Sequence, residues 1–533
     1  MTSLVNAALM RLPVRAERND VATLTATFVD AGPLFTLLSS SNHQILYGRR
    51  GTGKTHALNY LAEYVRSRGD HAVYLDLRRL GSTGGLYEDS SVSPQERATR
   101  LLVDVLREIT NGIYQEVLAI ESRFPDALEP ALLALEQLQD VASKIRISGS
   151  LVHEVQMSVQ DWPKSPVESR IDSPLVASSQ LQTQDDATQP SVTFKRTESG
   201  QERHVVHFGS TAQAFVKIIG ALPGKRLWLL LDEWSVVPLE LQPLLADFVR
   251  RCLLPINDVV VKIAAIEQRS KFRNKGQAGD YVGIELGADM SADLDFDDFM
   301  VFNNDAEKAK IFFAELFYRH VKQFIDEQPE GTAQAIVSSS DFQSKVFTQR
   351  NAFEELVRSA EGVPRDAINI ASLAAQRAVD ELISVPHIRV AARKWYQRDK
   401  ESAVQAAPEA LRLLHWIYEE VIGTRRARAF LIRQDIGRSN ALMRTLFDAR
   451  VLHVIKRGVS GRDLPGVRFD AYSLDYGCYV ELVSTKSAPS GLLATDGDLA
   501  AEVPADDYRA IRRAILDLDK FESNDIPGPG IPR

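Results

Sequence analysis

The chain has 533 residues, a formal net charge of −8 at pH 7 and an apolar fraction of 44%. This length predicts about three domains rather than one, and the composition is that of a globular protein. No stretch reaches the roughly 18 apolar residues of a membrane span, and Met1–Met10 shows no signal-peptide pattern. The two cysteines, Cys252 and Cys478, form neither a metal-ligand pair nor a disulfide framework. We therefore expect a cytoplasmic protein, whose acidic balance excludes a wholly basic nucleic-acid coat but allows a local basic patch.

After an N-terminal lead-in, residues 1–43, the stretch Gly48–Thr55 fits the pattern G-x-x-x-x-G-K-[ST] at every fixed position. An apolar run that reads as a buried strand, residues 44–47, precedes it, and a helical pattern follows. Glycines in this context turn backbone N–H groups inward as an anion nest at a helix N-terminus. Lys54 then reaches the β- and γ-phosphates, and Thr55 ligates Mg²⁺. The sequence predicts ATP and Mg²⁺ as ligands, with the nucleotide contacted by Gly48, Arg49, Arg50, Gly51, Thr52, Gly53, Lys54 and Thr55.

The region from 44 to 300 reads as the nucleotide-binding core, with a second buried strand at residues 71–77 and a long helix opened by Ser93 and Pro94. Residues 143–203 are rich in Ser, Gln, Thr, Pro and Asp, which predicts a mobile insertion ending in a β-hairpin around residues 198–200. The insertion is either a loop that contacts a partner or a tolerated surface excursion. We favour the second interpretation, because long insertions cost little folding free energy.

A central strand of the core, residues 227–231, ends in Asp232 and Glu233. This is the Walker B pattern of ATP-hydrolysing P-loop proteins, and it places Asp232 beside Thr55 to hold Mg²⁺ and Glu233 to polarise the attacking water. Another apolar strand, residues 259–266, is followed by Glu267 and Gln268. One of these two side chains could sense the γ-phosphate, and an ordinary polar strand end is an equally good interpretation.

Residues 301–400 read as a helical lid, in which Gly362-Val363-Pro364-Arg365 opens a helix and points Arg365 towards the γ-phosphate. In this order the three motifs resemble an AAA+ ATPase of the origin-recognition and replication-initiator clade, with Walker A, Walker B and sensor 2. The resemblance covers roughly residues 27–400 and implies an α/β fold: a P-loop AAA+ core with a parallel sheet, a helical lid and a C-terminal winged-helix domain. It implies catalytic roles for Glu233, Lys54, Arg365 and, at the poorly matching sensor 1 position, Gln268. The arginine finger stays open among Arg250, Arg251, Arg269 and Arg273.

Residues 408–486 form a separate predicted unit, and residues 487–533 a weakly acidic tail with one short helix near residues 506–518. Two helices followed by two strands with a polar, Gly-rich tip are the order of a winged helix. Between residues 425 and 468 there are eleven Lys and Arg and only three Asp, which favours contact with DNA phosphates. The expected contacts are Arg438, Asn440 and Arg444 on the recognition helix and Lys456, Arg457 and Arg462 on the wing.

The sequence therefore predicts an ATP-switched AAA+ protein of initiator or loader type that binds double-stranded DNA. We expect it to act as a homo-oligomer or in a complex with a partner protein, away from membranes. The alternative is an ATPase subunit of a bacterial defence or signalling system, whose winged helix and insertion bind a partner protein. A transcriptional regulator with little turnover is disfavoured by Glu233. Fold alone does not choose between the first two.

Overall fold

The computed structural model describes residues 4–13, 20–30, 32–80, 87, 89, 91–120, 124–142, 145–148, 151–153, 196–198, 201–204, 206–224, 226–275, 280–297, 306–327, 336–424, 427–460, 466–484 and 515–523. Most of the predicted insertion and of the C-terminal tail lies outside these residues. Within the described part of the chain, no helix is long and apolar enough to cross a membrane.

The structure contains strands in the order β1 Gln44–Tyr47, β2 His71–Asp76, β3 Ile145–Ser148, β4 Leu151–His153, β5 Arg196–Glu198, β6 Gln201–His204, β7 Leu227–Asp232, β8 Val259–Ala265, β9 Arg273–Lys275, β10 Tyr281–Gly283, β11 Ser291–Asp295, β12 Ala429–Arg433, β13 Leu452–Ser460 and β14 Arg468–Leu474. Its helices are α1 Leu4–Arg11, α2 Val21–Thr27, α3 Leu34–Leu38, α4 Lys54–Ser67, α5 Pro94–Ile120, α6 Pro125–Ala142, α7 Phe208–Ala221, α8 Gln242–Cys252, α9 Ala306–Asp326, α10 Ser339–Val346, α11 Arg350–Ser359, α12 Pro364–Ala378, α13 Val385–Trp395, α14 Glu401–Gln405, α15 Pro408–Tyr418, α16 Gln434–Ser439, α17 Ala441–Asp448, α18 Tyr476–Ser484 and α19 Asp519–Ser523.

The core is a five-stranded parallel sheet in the order β11-β1-β8-β7-β2. The strands β1, β8 and β7 are short runs buried along their whole length, as parallel sheets require. Alternate residues point to opposite sides: Leu46 and Leu230 belong to the apolar cluster that contains α4, whereas Ile45 and Leu229 join the cluster formed with α5, α7 and α8. The predicted mixed α/β core with a mainly parallel sheet is confirmed.

The sheet order determines where the chemistry lies. Because β8 lies between β1 and β7, the carboxyl ends of all three strands meet at one edge. That edge carries the P-loop after β1, Asp232 and Glu233 at the end of β7, and Glu267 and Gln268 after β8. Ligands of open α/β sheets bind at the carboxyl ends of the strands, so a ligand-binding site is expected at this edge.

The first strand of the expected hairpin, residues 192–195, lies outside the described residues, and the strands next to the predicted turn pair with earlier segments. β5 pairs antiparallel with β4, and β6 pairs antiparallel with β3. The two segments around residues 198–200 therefore find their partners some 50 residues earlier in the chain, which alternation in a single segment could not indicate.

The C-terminal segment begins with α15 and contains a three-stranded antiparallel sheet in the order β12-β14-β13. Helices α16 and α17 lie between β12 and β13 in the chain, and a turn of π-helix, Glu419–Thr424, precedes β12. Strand β12 and helix α16 are additions to the predicted pattern. Leu516 donates a backbone hydrogen bond to Leu431 on the edge strand of this sheet. Leu516 lies in the tail, beyond residue 486, where the unit was predicted to end.

The lid and the C-terminal segment contribute to one apolar cluster, which also includes α4 and residues of the parallel sheet. Buried residues of α12 and α13, such as Ala392, belong to the same cluster as Phe430, Leu452 and Tyr476. The contact is close: a Cβ added to Gly477 would lie 2.4 Å from the carbonyl oxygen of Ala392. The lid and the C-terminal segment are therefore packed as one body.

Two helical glycines give opposite expectations for alanine. A Cβ at Gly112 in α5 would lie 2.4 Å from Cγ1 of Val73 in β2, whereas one at Gly220 in α7 would meet nothing within 4 Å. We expect Gly112→Ala to destabilise the fold by about 1–3 kcal/mol through overpacking, and Gly220→Ala to be neutral or stabilising by up to about 1 kcal/mol. Thermal unfolding of both variants checks this, and a stabilised Gly112→Ala would contradict it.

Candidate nucleotide-binding site

The P-loop joins β1 to α4, which begins at Lys54. Gly51 and Gly53 have φ of +89° and +95°, in the left-handed region that glycine adopts without steric cost. A Cβ on Gly51 would lie 2.7 Å from Cβ of Arg365, and the Arg365 backbone N–H donates to the Gly51 carbonyl at 3.2 Å. The P-loop is thus packed directly against the start of the lid helix α12.

Asp232 meets two hydroxyl groups at the end of β7. Thr55 Oγ1 donates to its Oδ2 at 2.6 Å, and Tyr74 Oη donates to the same oxygen at 2.8 Å. The Asp232 side chain is 1% exposed. The sequence-predicted pair of Thr55 and Asp232 is therefore brought together, in the arrangement of two oxygen ligands that Mg²⁺ favours. Tyr74 on β2 belongs to the same hydrogen-bonded group, through its bond to Asp232.

Glu233 stands next to this pair in a strained conformation, with φ of +57°. Its carboxylate lies 3.6 Å from Nη1 of Arg78, which follows β2. Burial and the neighbouring Asp232 raise the pKa of Glu233, while Arg78 and Lys54 oppose the rise. A carboxylate with a raised pKa beside a cleft is suited to accept a proton or to orient water.

A cavity of about 280 Å³ lies between the P-loop and the lid. The P-loop and the start of α4 line one side of it, the lid lines the other, and residues at the strand ends and on neighbouring helices line the rest. The lining residues are Arg50, Gly51, Gly53, Lys54, Thr55, His56, Pro364, Arg365, Ile368, Arg78, Glu233, Val236, Ile266, Pro13, Leu316 and His320. The cavity is lined by one carboxylate, Glu233, and by four cationic side chains, which suits a polyanionic ligand. The four are Arg50, Lys54, Arg78 and Arg365.

Lys54 lies at the end of the P-loop. Burial lowers the pKa of Lys54, and nearby carboxylates counteract this. Lys54 Nζ donates to the carbonyls of Gly48 and Arg49 at 2.6 and 2.9 Å.

The two polar residues after β8, Glu267 and Gln268, differ in their surroundings. Gln268 lies in a short 3₁₀ turn, its Oε1 is buried, and it accepts no hydrogen bond from the residues that the structure describes. Glu267 instead pairs with Arg457 at 2.8 Å. The four arginine-finger candidates each form an ion pair within the chain: Arg250 and Arg251 with Asp247, Arg269 with Asp448, and Arg273 with Glu285.

Arg49 of the P-loop points away from the cavity and is 3% exposed. Its Nε donates to Asp297 at 2.8 Å, and its Nη2 donates to the carbonyl oxygen of Glu361 at the lid turn at 2.8 Å. Its Nη1 donates to Nδ1 of His453 on β13. One P-loop side chain therefore touches the core, the lid and the C-terminal segment.

From His453 a chain of buried charges continues. His453 Nε2 donates to Asp475 at 3.0 Å, and Lys400 bridges Asp475 at 2.6 Å and Asp366 at 2.8 Å. Arg450 pairs with the other oxygen of Asp366 at 2.7 Å. These carboxylates keep lowered pKa values because the cations beside them outweigh the cost of burial. The network, called here the Arg49 network, spans α12, the π-turn Tyr396–Lys400 and the C-terminal sheet.

The predicted DNA contacts fall into three groups. Arg438 lies 3.1 Å from Asp470 and 4.0 Å from Glu267, and Arg457 lies 2.6 Å from Asp295 and 2.8 Å from Glu267. Asn440 caps α17 by accepting from the N–H groups of Leu442 and Met443. In the third group, Lys456 is exposed and Arg444 half-buried, while Arg462 lies outside the described residues.

Comparison with known proteins gives one family match. A model described as ORC-CDC6-like matches residues 13–81. This stretch runs from Pro13 on the cavity wall through the P-loop to the residues just after β2, and it supports a relationship to the ORC/CDC6-like AAA+ proteins. No curated protein matches the chain.

Sequence reasoning missed Tyr74, Arg78 and His453 as neighbours of the site. Tyr74 and Arg78 lie at the end of a predicted strand, where the rule that strand ends meet could have selected them. His453 lies 404 residues from Arg49 in the chain, and no local pattern marks such a contact.

Burial and the adjacent Arg49 guanidinium lower the pKa of His453 to about 3, although Asp475 pulls the other way. Below about pH 6.5 an unfolded histidine binds a proton that the folded one excludes, so this group makes stability fall as the pH falls from 6.5 towards 3. We expect wild type to lose about 2 kcal/mol more than His453→Asn between pH 7 and pH 5. Urea unfolding of both proteins at the two pH values checks this. The prediction is contradicted if the difference in free energy of unfolding between wild type and His453→Asn is the same at pH 7 and pH 5.

Proposed function

We propose that the protein is a Mg²⁺-dependent AAA+ ATPase whose nucleotide lies in the cavity between the P-loop and Arg365. The observation that carries the proposal is the pairing of Thr55 with Asp232 opposite Arg365, at the carboxyl edge of a parallel sheet. A generic glycine turn would give no reason for an acidic strand end and a lid arginine to converge on the same cavity. The family match over residues 13–81 supports the same conclusion.

Each residue then has a distinct role. Lys54 and Arg365 would neutralise phosphate charge from opposite walls, and Thr55 and Asp232 would hold Mg²⁺, which would supply further positive charge to stabilise the phosphates. Tyr74 keeps the Asp232 carboxylate turned towards Thr55. Glu233 orients the attacking water.

Replacing Glu233 separates binding from hydrolysis. We expect Glu233→Gln to bind ATP within about threefold of wild type but to lower kcat by about a hundredfold or more, since a positioned acid–base group contributes this much. Steady-state ATPase assays and fluorescent-nucleotide titration measure the two quantities. Glu136→Gln, at an exposed position of α6, is the matched control. Wild-type turnover in Glu233→Gln would contradict the assignment.

We propose further that the C-terminal segment is a winged helix that binds double-stranded DNA. Its order of helix, strand, two helices and two strands supports this, as does the excess of basic residues between 425 and 468. Phosphate contacts would dominate, so binding would weaken steeply with salt. Arg444 on α17 and Lys456 on β13 are among the proposed contacts.

Arg438 and Arg457 favour a second candidate for this surface. Both already pair with carboxylates of the core, so the face serves a protein contact within the chain and could serve one with a partner protein. The second candidate is therefore an ATPase subunit of a bacterial defence or signalling system, in which this surface binds a partner protein. The two candidates share the nucleotide site and differ in what the C-terminal segment binds.

Competition for Arg457 distinguishes them. If Arg457 contacts DNA, core carboxylates and phosphates compete for one guanidinium, and Glu267→Gln will tighten DNA binding by about two- to fivefold, the range of one partly exposed ion pair. Fluorescence anisotropy with a duplex at two salt concentrations measures this. Glu285→Gln, whose partner is Arg273, is the control. No binding of wild type at low salt would exclude the DNA proposal and favour the partner protein.

A further inference from the structure

The P-loop residue Arg49 makes contacts that nucleotide binding does not need. Its side chain is buried and points to Asp297, the Glu361 carbonyl and His453. Its own backbone carbonyl accepts from Lys54 Nζ at 2.9 Å and from Thr52 Oγ1 at 2.9 Å. Arg49 therefore has one end inside the phosphate-binding loop and the other against the lid and the C-terminal segment.

The proton arrangement at His453 is determined by its partners. A guanidinium only donates hydrogen bonds, so Nδ1 of His453 must be the acceptor, and Nε2 carries the proton given to Asp475. Only the neutral ring with this tautomer satisfies both neighbours. The low pKa of His453 agrees with this.

We propose that His453 is a positioning residue for the P-loop, which holds Arg49 in place and so links occupancy of the nucleotide site to the C-terminal segment. The inference rests on the proposed nucleotide site. When a phosphate draws Lys54 from the Arg49 carbonyl, the loop around Arg49 changes its hydrogen bonds. That change reaches His453 directly, and through it Asp475 and Lys400.

The packing of the lid with the C-terminal segment extends the effect. Glu361 offers its carbonyl to Arg49 and its carboxylate to Arg428 beside β12. Because the lid and the C-terminal segment share one apolar core, a displacement at Arg49 acts on both together. The surface proposed to bind DNA or a partner is on the same body.

A purely structural role for His453 predicts something different from a positioning role. Leu would fill the buried space without an acceptor for Arg49, whereas Asn offers a side-chain oxygen near the position of Nδ1. If His453 serves only packing, His453→Leu should behave at least as well as His453→Asn. If it positions Arg49, His453→Asn should restore what His453→Leu loses.

The experiment uses the full chain and backbone hydrogen exchange with and without a non-hydrolysable ATP analogue. We expect the analogue to change the exchange of the β13 amides, residues 452–460, by about fivefold or more in wild type, a typical coupling between sites. His453→Leu should reduce this change to within about twofold, and His453→Asn should recover most of it. Tyr476→Phe is the matched control, because it removes a buried hydrogen bond between the C-terminal segment and Glu355 of the lid without touching Arg49.

The outcomes are distinct. Normal analogue binding with no exchange change in β13 of wild type, or a wild-type response in a folded His453→Leu, overturns the inference and leaves the proposed site intact. A response lost equally in Tyr476→Phe also overturns it, because the effect would then be general destabilisation. Failure of wild type, measured by fluorescent-nucleotide titration, to bind nucleotide removes the proposed function and the inference with it.

Discussion

The burial of the Arg49 guanidinium is the constraint on which the arrangement of this protein depends. A buried cation costs several kcal/mol unless carboxylates and carbonyls compensate for it, and here the compensation comes from three parts of the chain: Asp297, the Glu361 carbonyl and His453. No single part could satisfy the five N–H groups alone. The core, the lid and the C-terminal segment therefore meet at one buried P-loop side chain.

Apolar packing stabilises the contact between these parts of the chain, and the charged network determines their relative orientation. The cluster shared by the lid and the C-terminal segment is large and non-directional. The Arg49 network is directional, because Lys400 must reach both Asp475 and Asp366. Removing one member would leave an uncompensated buried charge, which costs more than the pair contributes. Such a network favours a few discrete placements over a continuum, as a switch between states requires.

Sequence patterns predicted what depends on neighbours in the chain. The P-loop, the buried strands and the acidic end of β7 each lie within a few residues, and the rule that parallel strands present their carboxyl ends at one edge brought Thr55 and Asp232 together. Strand β12, Ala429–Arg433, was not predicted, because its apolar run is only four residues long and arginines flank it on both sides. His453 and Asp475 could not have been found: they act on the P-loop only through tertiary packing, across some 400 residues.

The position of Arg457 shows why charge composition alone does not define a binding surface. Its guanidinium lies between Asp295 and Glu267, and these carboxylates raise its pKa despite burial. In the proposed DNA complex, a phosphate would therefore displace a partner already in place. The free energy of that exchange would be the difference between two ion pairs, which is small at a partly exposed position. Because Glu267 follows β8 beside the nucleotide cavity, the proposed DNA contact of Arg457 and the proposed nucleotide site would meet at this residue.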